Sequence, residues 1–423
     1  MAVVLIFVFT IVFIALSVPI GISIGLSTLL AMMMTGNVGT ALIAQKAFTG
    51  VDSFTLLAIP LFILSGQLMT YGGISKRLVK VADDLIGFVT GGYAMVTTVA
   101  CMFFSAISGS APATASAIGS FMIPEMKKRN YSGGFACAIT ACAGSIGVII
   151  PPSVAFVIYG NAVGVSITDL FVAGVIPGIL VGVGLMVVSH FVCKKNGWMG
   201  NPERACLRQF LIDLKDAFWA ILMPVIMLGG IYAGVFTPTE AAVISVVYAF
   251  FVSMFIYREL TWKQLIDACI STALINGATS FMIALSASFA NYLTMQQVAA
   301  KAVNFIGGLN VNKVFVFMLV LLLLLFVGCF IDSISSTVIL APILLPIMQS
   351  YGMGGVQFGI MMTIALCVGF VTPPYGCNLF VASGIGKTPL EETAKASIPM
   401  IASMLFITLC VMFIEPLSMM FLS

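Results

Sequence analysis

The sequence predicts an all-α polytopic membrane protein with an inverted-topology repeat: about ten crossing helices, two re-entrant hairpins and two broken helices. Three observations predict it. Hydrophobic residues make up 61% of the 423 and charged residues 8%, with a mean hydropathy of +1.17, so the chain carries more apolar surface than a soluble core hides. Charge-poor runs recur near the roughly 20 residues that cross about 30 Å of hydrocarbon, too continuous for strands of a polar-lined barrel. One proline pattern also occurs twice. Pro124 stands as far before Pro151-Pro152 as Pro346 stands before Pro373-Pro374, so a single constant offset carries the first set onto the second. Paired interruptions of apolar segments point to a transporter's binding site.

The opening run, Met1 to Gly36, lacks the basic start of a signal peptide and continues past Pro19, so it is expected to stay as helices over 3–17 and 19–35. A third helix follows over 54–71, with counterparts over 218–236, 240–257 and 266–293. Short amphipathic segments, Ser75 to Phe88 and Met295 to Leu309, have the pattern of helices that lie along the interface, as lateral arms. Each precedes an expected hairpin, 89–126 and 313–350, turning within Phe103 to Thr114 and near Asp332 to Ser336. Broken helices are expected next, over 133–163 and 357–386. The chain thus divides into a first repeat, 1–193, a polar cytoplasmic linker, 194–217, and a second repeat, 218–423.

Fifteen of the 18 Lys and Arg residues cluster at Lys76 to Lys80, Lys127 to Arg129, Lys194 to Lys215, around Arg258 and around Lys387. Those clusters mark the cytoplasmic side, which leaves Lys46, Lys301 and Lys313 outside and makes both termini external. The net charge of +3 is a topology signal, with no case for nucleic acid. Ten scattered cysteines without a CxxC pair, and one His, argue against disulfides and a metal centre and read as soft core residues. His190 reads as interfacial, and Asp169 and Glu240 as helix caps at external turns.

Chemistry concentrates at the interruptions. In Ser108-Gly109-Ser110-Ala111-Pro112-Ala113-Thr114, Gly permits the reversal, Pro112 suits the first turn of the returning helix, and Ser110 is expected to cap its free amides. A helix N-terminus at membrane depth attracts anions. Pro151-Pro152 and Pro373-Pro374 break the helical ladder and free carbonyls near Gly147 to Ile150 and at the matching positions from Gly369, with Thr372 supplying a hydroxyl. Such unwound carbonyls and hydroxyls coordinate sodium in transporters. Asp332 is the only charged residue between Lys313 and Lys387, and at mid-membrane an ionisable group costs roughly 2.5–3.5 kcal/mol or more. Its expected compensation is a bound cation or the amides of Ser333 to Ser336. An intramembrane enzyme needs convergent reactive groups that this core lacks. A channel of this kind usually assembles symmetrically around one pore, whereas an inverted repeat within one chain suits alternating access.

The run Ser108 to Thr114 through Ala117-Ile118-Gly119, then Gly147 to Ser153 with Tyr159-Gly160, then Ala341-Pro342 to Pro346 and Thr372-Pro373-Pro374-Tyr375-Gly376, resembles the large membrane subunit of tripartite ATP-independent periplasmic (TRAP) transporters. It does so across the whole chain, departing at Ala111, where that family more often has Gly. The resemblance implies a multi-pass protein of the bacterial inner membrane that imports an organic acid such as sialic acid or a C4-dicarboxylate. It further implies that transport is driven by sodium through an elevator mechanism. It implies three partners besides membrane lipid: the substrate, a periplasmic binding protein, and a small four-helix membrane subunit, expected here from a separate gene because the chain opens on its first helix. Carried onto this sequence, one sodium sits among Ser108, Ser110, Gly147, Ile150 and Pro152 and another among Asp332, Ser335, Gly369, Thr372 and Pro374. The substrate is expected between the tips, near Ser110, Thr114, Ser153, Ser333 and Ser336. A carrier of dicarboxylates or anions that works without a binding protein is the alternative.

Overall fold

A computed structural model describes residues 2–35, 41–201, 207–308, 311–373 and 375–422. Every regular element among them is helical. The first half contains α1 (Ala2–Ala15), α2 (Ile20–Thr35), α3 (Ala41–Val51), a 3-10 turn at Phe54–Leu57, α4 (Ala58–Tyr71), α5 (Ile74–Ile86), α6 (Gly92–Ser108), α7 (Ala111–Lys128), α8 (Gly133–Ser145), a 3-10 turn at Ile146–Val148, α9 (Val154–Val163) and α10 (Ile167–Asn196). After α11 (Leu207–Asp216) come α12 (Phe218–Tyr232), α13 (Pro238–Phe251) with a π turn at Val252–Ile256, α14 (Trp262–Met295), α15 (Val298–Gly308), α16 (Lys313–Phe330), α17 (Ser333–Ser350), α18 (Gly355–Gly369), α19 (Cys377–Gly386), α20 (Leu390–Phe413) and α21 (Pro416–Met419). Seven helical stretches among the described residues are long and apolar enough to cross a membrane.

The proline spacing extends to whole elements. The offset that carries Pro124 onto Pro346 carries both ends of α7 onto those of α17, and α16, α18, α19 and α20 begin within one residue of where α6, α8, α9 and α10 place them. One segment departs from this match. α14 runs unbroken for 34 residues, about 51 Å at 1.5 Å per residue, whereas the matching stretch of the first half divides into α3, a 3-10 turn and α4. The division falls at Ser53, whose backbone is extended (φ −137°, ψ 126°) where Ile275 continues α14. Pro60 in the first turn of α4 offers no amide to Leu56 O, while Met282 stands at its matching position.

α8 and α18 form the centre. Gly134 to Ser145 and Gln357 to Gly369 are buried without a gap, and the many Ala, Gly and Cys among them let neighbouring helices approach closely. α6, α7, α19 and α20 surround α8; α16, α17, α20 and α10 surround α18. Hydrogen bonds cross between the halves: Tyr159 Oη donates to Gly355 O at 2.7 Å, Asn378 Nδ2 to Ala141 O at 3.2 Å, and Lys127 Nζ to Gly386 O. Outside this body, α1, α2 and α3 pack on α14 around a separate small core of Ile6, Ile24, Met32, Phe289 and Tyr292. α4 packs on α13 and α14 and also touches α6 and α9, so it lies between the two bodies.

Several local expectations need correction. The segment 54–71 opens as a 3-10 turn, α14 starts four residues before the expected 266, and α13 ends in a π turn. Each hairpin turn is tighter than the sequence suggests, because helix persists to Ser108 and resumes at Ala111, and persists to Phe330 and resumes at Ser333. Asp169 is not a cap: Ser166 is, accepting the Asp169 amide at 3.2 Å, so Asp169 sits in the first turn beside the positive helix end. Glu240 completes a capping box with Thr237. Cys269 is exposed and so is not a core residue, while Cys101, Cys137, Cys142, Cys193, Cys329 and Cys367 are buried. The polar linker contains a helix, α11, which packs on α5.

Candidate functional site

α6 and α7 pack as an antiparallel pair whose turn is Gly109, in the left-handed region at φ +61°. No side chain fits there, since a Cβ on Gly109 would lie 2.8 Å from Pro152 O. The tip therefore rests on the first break, and the Val154 amide donates to Gly109 O at 3.3 Å. Ser110 occupies the N-cap position of α7 with extended backbone, but its side chain makes no cap hydrogen bond, contrary to expectation. Pro112 removes one of the two amides such a cap serves. Ser110 instead lines a cavity.

At the first break, Pro151 and Pro152 carry no amide for Gly147 O and Val148 O. Val148 O is recovered by Ser153, whose Oγ donates to it at 2.7 Å and accepts the Phe156 amide at 3.3 Å. Gly147 packs on the tip so closely that a Cβ would meet both Ser110 O and Thr114 Oγ1 at 2.6 Å. Ser108 Oγ and Thr114 Oγ1 are 2.8 Å apart, and Thr114 Oγ1 donates to Ser110 O at 2.8 Å. Three oxygens of the first tip thus gather beside the break. The Ile150 side chain turns away, toward Gly178 of α10.

The second break repeats the plan with other atoms. Phe370 O, which matches Val148 O, accepts the Asn378 amide at 3.2 Å, and Thr372 donates its amide to Gly369 O at 3.0 Å and its hydroxyl to Val368 O at 2.6 Å. Gly369 packs on Gly328 of α16 rather than on the tip, its would-be Cβ 2.5 Å from the Gly328 carbonyl carbon. Asp332 caps α17: Oδ2 accepts the amides of Ile334 at 2.9 Å and Ser335 at 3.3 Å, and Oδ1 accepts Ser335 Oγ at 2.7 Å. Among the described residues it forms no salt bridge. Ser336, which matches Thr114, is fully buried, with no partner for its Oγ among the described residues.

Both tips open onto one cavity of about 570 Å³. Ser108 to Ala113 and Asp332 to Ile334 line it, with Val148, Val154, Phe370 and Cys377 from the ends of the breaks. α4 and α14 form the opposite wall, with Gln67, Thr70 and Thr279 as its polar groups. Among the described residues, no Lys or Arg lines the cavity. A second cavity, about 390 Å³, lies between α3, α9, α14 and α17, where Ser53 Oγ donates to Asn161 Oδ1 at 3.0 Å.

The family model of the tripartite ATP-independent periplasmic transporter, DctM component, matches residues 7–417. The chain belongs to this family. It is 41% identical over 94% of its length to the isethionate TRAP transporter permease protein DctMQ of Oleidesulfovibrio alaskensis, and spans 62% of that relative. It is 38% identical to the C4-dicarboxylate TRAP transporter large permease protein DctM of Pseudomonas aeruginosa, over 89% of the chain and 88% of the relative. For the sialic acid TRAP transporter large permease protein SiaM of Vibrio cholerae the identity is 37%, over 91% and 90%. The YdaH transporter of Alcanivorax borkumensis shares the fold, with a TM-score of 0.66 over 89% of this chain and 88% of that one at 14% identity.

In this TRAP permease chain, Ser108, Ser110, Asp332 and Ser333 meet at the cavity wall. Thr114, Ser153 and Ser336 do not line it: Thr114 joins the oxygen group of the first tip, Ser153 caps α9, and Ser336 lies buried behind the second tip. Gly147, Ile150, Pro152, Ser335, Gly369 and Thr372 are also absent from the lining. Pro374 lies outside the described residues. Gln67, Thr70 and Thr279 escaped the sequence reading, although Gln67 and Thr70 stand three residues apart on an apolar helix, a spacing that marks one polar face.

Proposed function

We propose that this chain is the large membrane subunit of a sodium-coupled importer of an organic anion, fed by a periplasmic binding protein and working with a small membrane subunit. The cavity between the two tips carries this reading. Its lining holds the Asp332 carboxylate, hydroxyls of both tips and the uncapped first turn of α7, with no basic side chain among the described residues. An anion finds donors at Ser110 and at the positive end of α7. The amides of α17 are taken by Asp332, so the two tips divide the work: the first receives the anion, the second keeps a negative charge.

That division supplies a reason for coupling. An anion entering the cavity is repelled by Asp332, and in a low-dielectric site the repulsion is strong. A cation bound near Asp332, Ser335 and the hydroxyl of Ser336 removes it, so anion binding is linked to sodium binding. The oxygens of Ser108, Ser110 and Thr114 beside Gly147 form the other proposed sodium position. The cavity runs along α4 to Thr70 and along α7 to Ala117, toward the Lys-rich arm. By the positive-inside rule that is the cytoplasmic side, so this conformation faces inward. The body around α8 and α18 then moves against α1–α4 and α12–α14 as an elevator in the inner membrane, with both chain termini outside.

The substrate is an organic acid of the class that the relatives' names span, a carboxylate such as sialic acid or a C4-dicarboxylate, or a sulfonate such as isethionate. The test is uptake of these three by proteoliposomes that hold the chain with its small subunit, each offered with and without its binding protein. Accumulation of one of them only with a binding protein is expected. Equal uptake without any binding protein would leave a carrier that works alone.

A further inference from the structure

The first arm is fastened to its surroundings by charge, and among the described residues the second is not. Arg77, in the first turn of α5, has only 15% of its side chain exposed. Its Nη1 lies 2.8 Å from Glu259 Oε1 and donates to Gly73 O at 3.1 Å. Nε faces Asp216 Oδ2 at 3.2 Å, off the line of a good hydrogen bond, and the guanidinium lies over the Tyr257 ring, 3.7 Å from its centroid. Asp216 ends α11, and Tyr257 and Glu259 follow the π turn of α13. Tyr257 is itself fixed: its Oη donates to Asp216 O at 2.8 Å and accepts the Ala220 amide of α12 at 3.2 Å. One arm residue therefore holds α11, the start of α12 and the end of α13 together.

The chain between α4 and α5 is fitted to this point. A Cβ on Gly72 would lie 2.0 Å from Ser253 Oγ, and one on Gly73, at φ +71°, 1.9 Å from Glu259 Oε2. The second arm has Ala299 at the position matching Arg77, and among the described residues α15 forms no ion pair; Lys301 Nζ donates to Gln296 O, beside its own helix. An arm of this fold thus packs without a charged clamp, which leaves the clamp to serve something particular to the first. α5 leads directly into α6, the first limb of the hairpin whose tip holds Ser108 and Ser110. Any displacement of that tip relative to α12 and α13 is taken up between Arg77 and α6.

We propose that Arg77 is a positioning residue: it pins the near end of the first arm to the scaffold and so sets how fast the first hairpin moves, without touching the transported anion. The mechanism rests on the transport reading above; the pinning does not. In proteoliposomes with the small subunit and binding protein, Arg77→Gln is expected to lower the maximal uptake rate at least tenfold while KM stays within twofold. Arg77→Lys keeps the charge and loses the fork, and falls between. The double substitution Asp216→Asn with Glu259→Gln leaves Arg77 in place and carries the test if Arg77→Gln does not insert; it is expected to give the same loss. Hydrogen exchange on the purified complex reads the pinning alone, with α11 amides at least tenfold faster in Arg77→Gln. Normal maximal rates in the variants, a loss borne by KM, or unchanged exchange in α11 would each overturn the proposal. A wild-type complex that transports nothing while exchange still responds to Arg77→Gln would fault the transport reading and leave the anchor standing.

Discussion

Asp332 shows how far one residue is legible in the sequence. Its isolation, with no other charge between Lys313 and Lys387, marked it, and the structure gives it a local role as the cap of α17. Capping needs an oxygen acceptor and coupling needs the charge, so two substitutions separate them. Asp332→Asn keeps an acceptor for the Ile334 amide, and the protein is expected to insert and melt normally while sodium-dependent uptake falls at least tenfold. Asp332→Ala also loses the cap, about 1 kcal/mol. Ser110→Ala costs no cap because none is made, yet it is expected to abolish coupled uptake. Lys194→Ala, at the end of α10, is the control and should leave uptake within twofold. Ser110 was misread because a sequence lists its possible partners but not the direction of its hydroxyl, and Pro112 had removed one partner. Gly369→Ala belongs at this scale too. Its Cβ would lie 2.5 Å from Gly328 backbone, which cannot yield as a side-chain end can, so it is expected to lower the melting temperature of the purified protein where Gly384→Ala, with open space around it, does not.

At the level of elements, the hairpins, the breaks and both arms were legible because proline, glycine and charge punctuate them. α11 was not, since its ten residues read as part of a polar linker. Leu207, Phe210, Leu211 and Leu214 at helical spacing were the available signal. Its docking on α5 brings Asp213 against Asp84. Burial first, then Asp213, push the Asp84 carboxyl up to about 6, with Asp83 adding to the effect and Lys80 opposing it. A docked acid with a raised pKa holds more protons than a free one. Docking is therefore favoured fully below the ordinary carboxylate value of 3.8 and loses that support as pH rises through about 6. The amides of α11 are expected to be better protected from exchange at pH 5 than at pH 7.5 after correction for intrinsic rates, and Asp84→Asn should flatten the difference. Equal pH dependence in Asp84→Asn would remove Asp84 from the account.

At the scale of the molecule, the membrane class and the doubled plan followed from composition and one proline spacing, and α17 falls on α7 at that same offset. What could not be read was which walls face each other. The cavity draws Gln67, Thr70 and Thr279 from helices that look like ordinary apolar spans, because an assembled cavity needs few polar groups from each wall. α3 was equally hidden, since Ala41–Val51 carries Lys46 and read as part of an external connection ahead of the helix expected from 54. The central claim is that an anion and sodium share the site between the tips and depend on each other. The measurement that bears on it most directly is the initial rate of uptake against external sodium. It uses proteoliposomes holding the chain, its small subunit and a saturating loaded binding protein, for wild type and Asp332→Asn. The account predicts a steep, saturable rise with sodium in wild type and a low, flat response in Asp332→Asn. A wild-type rate indifferent to sodium, or an Asp332→Asn response equal to wild type, would contradict it.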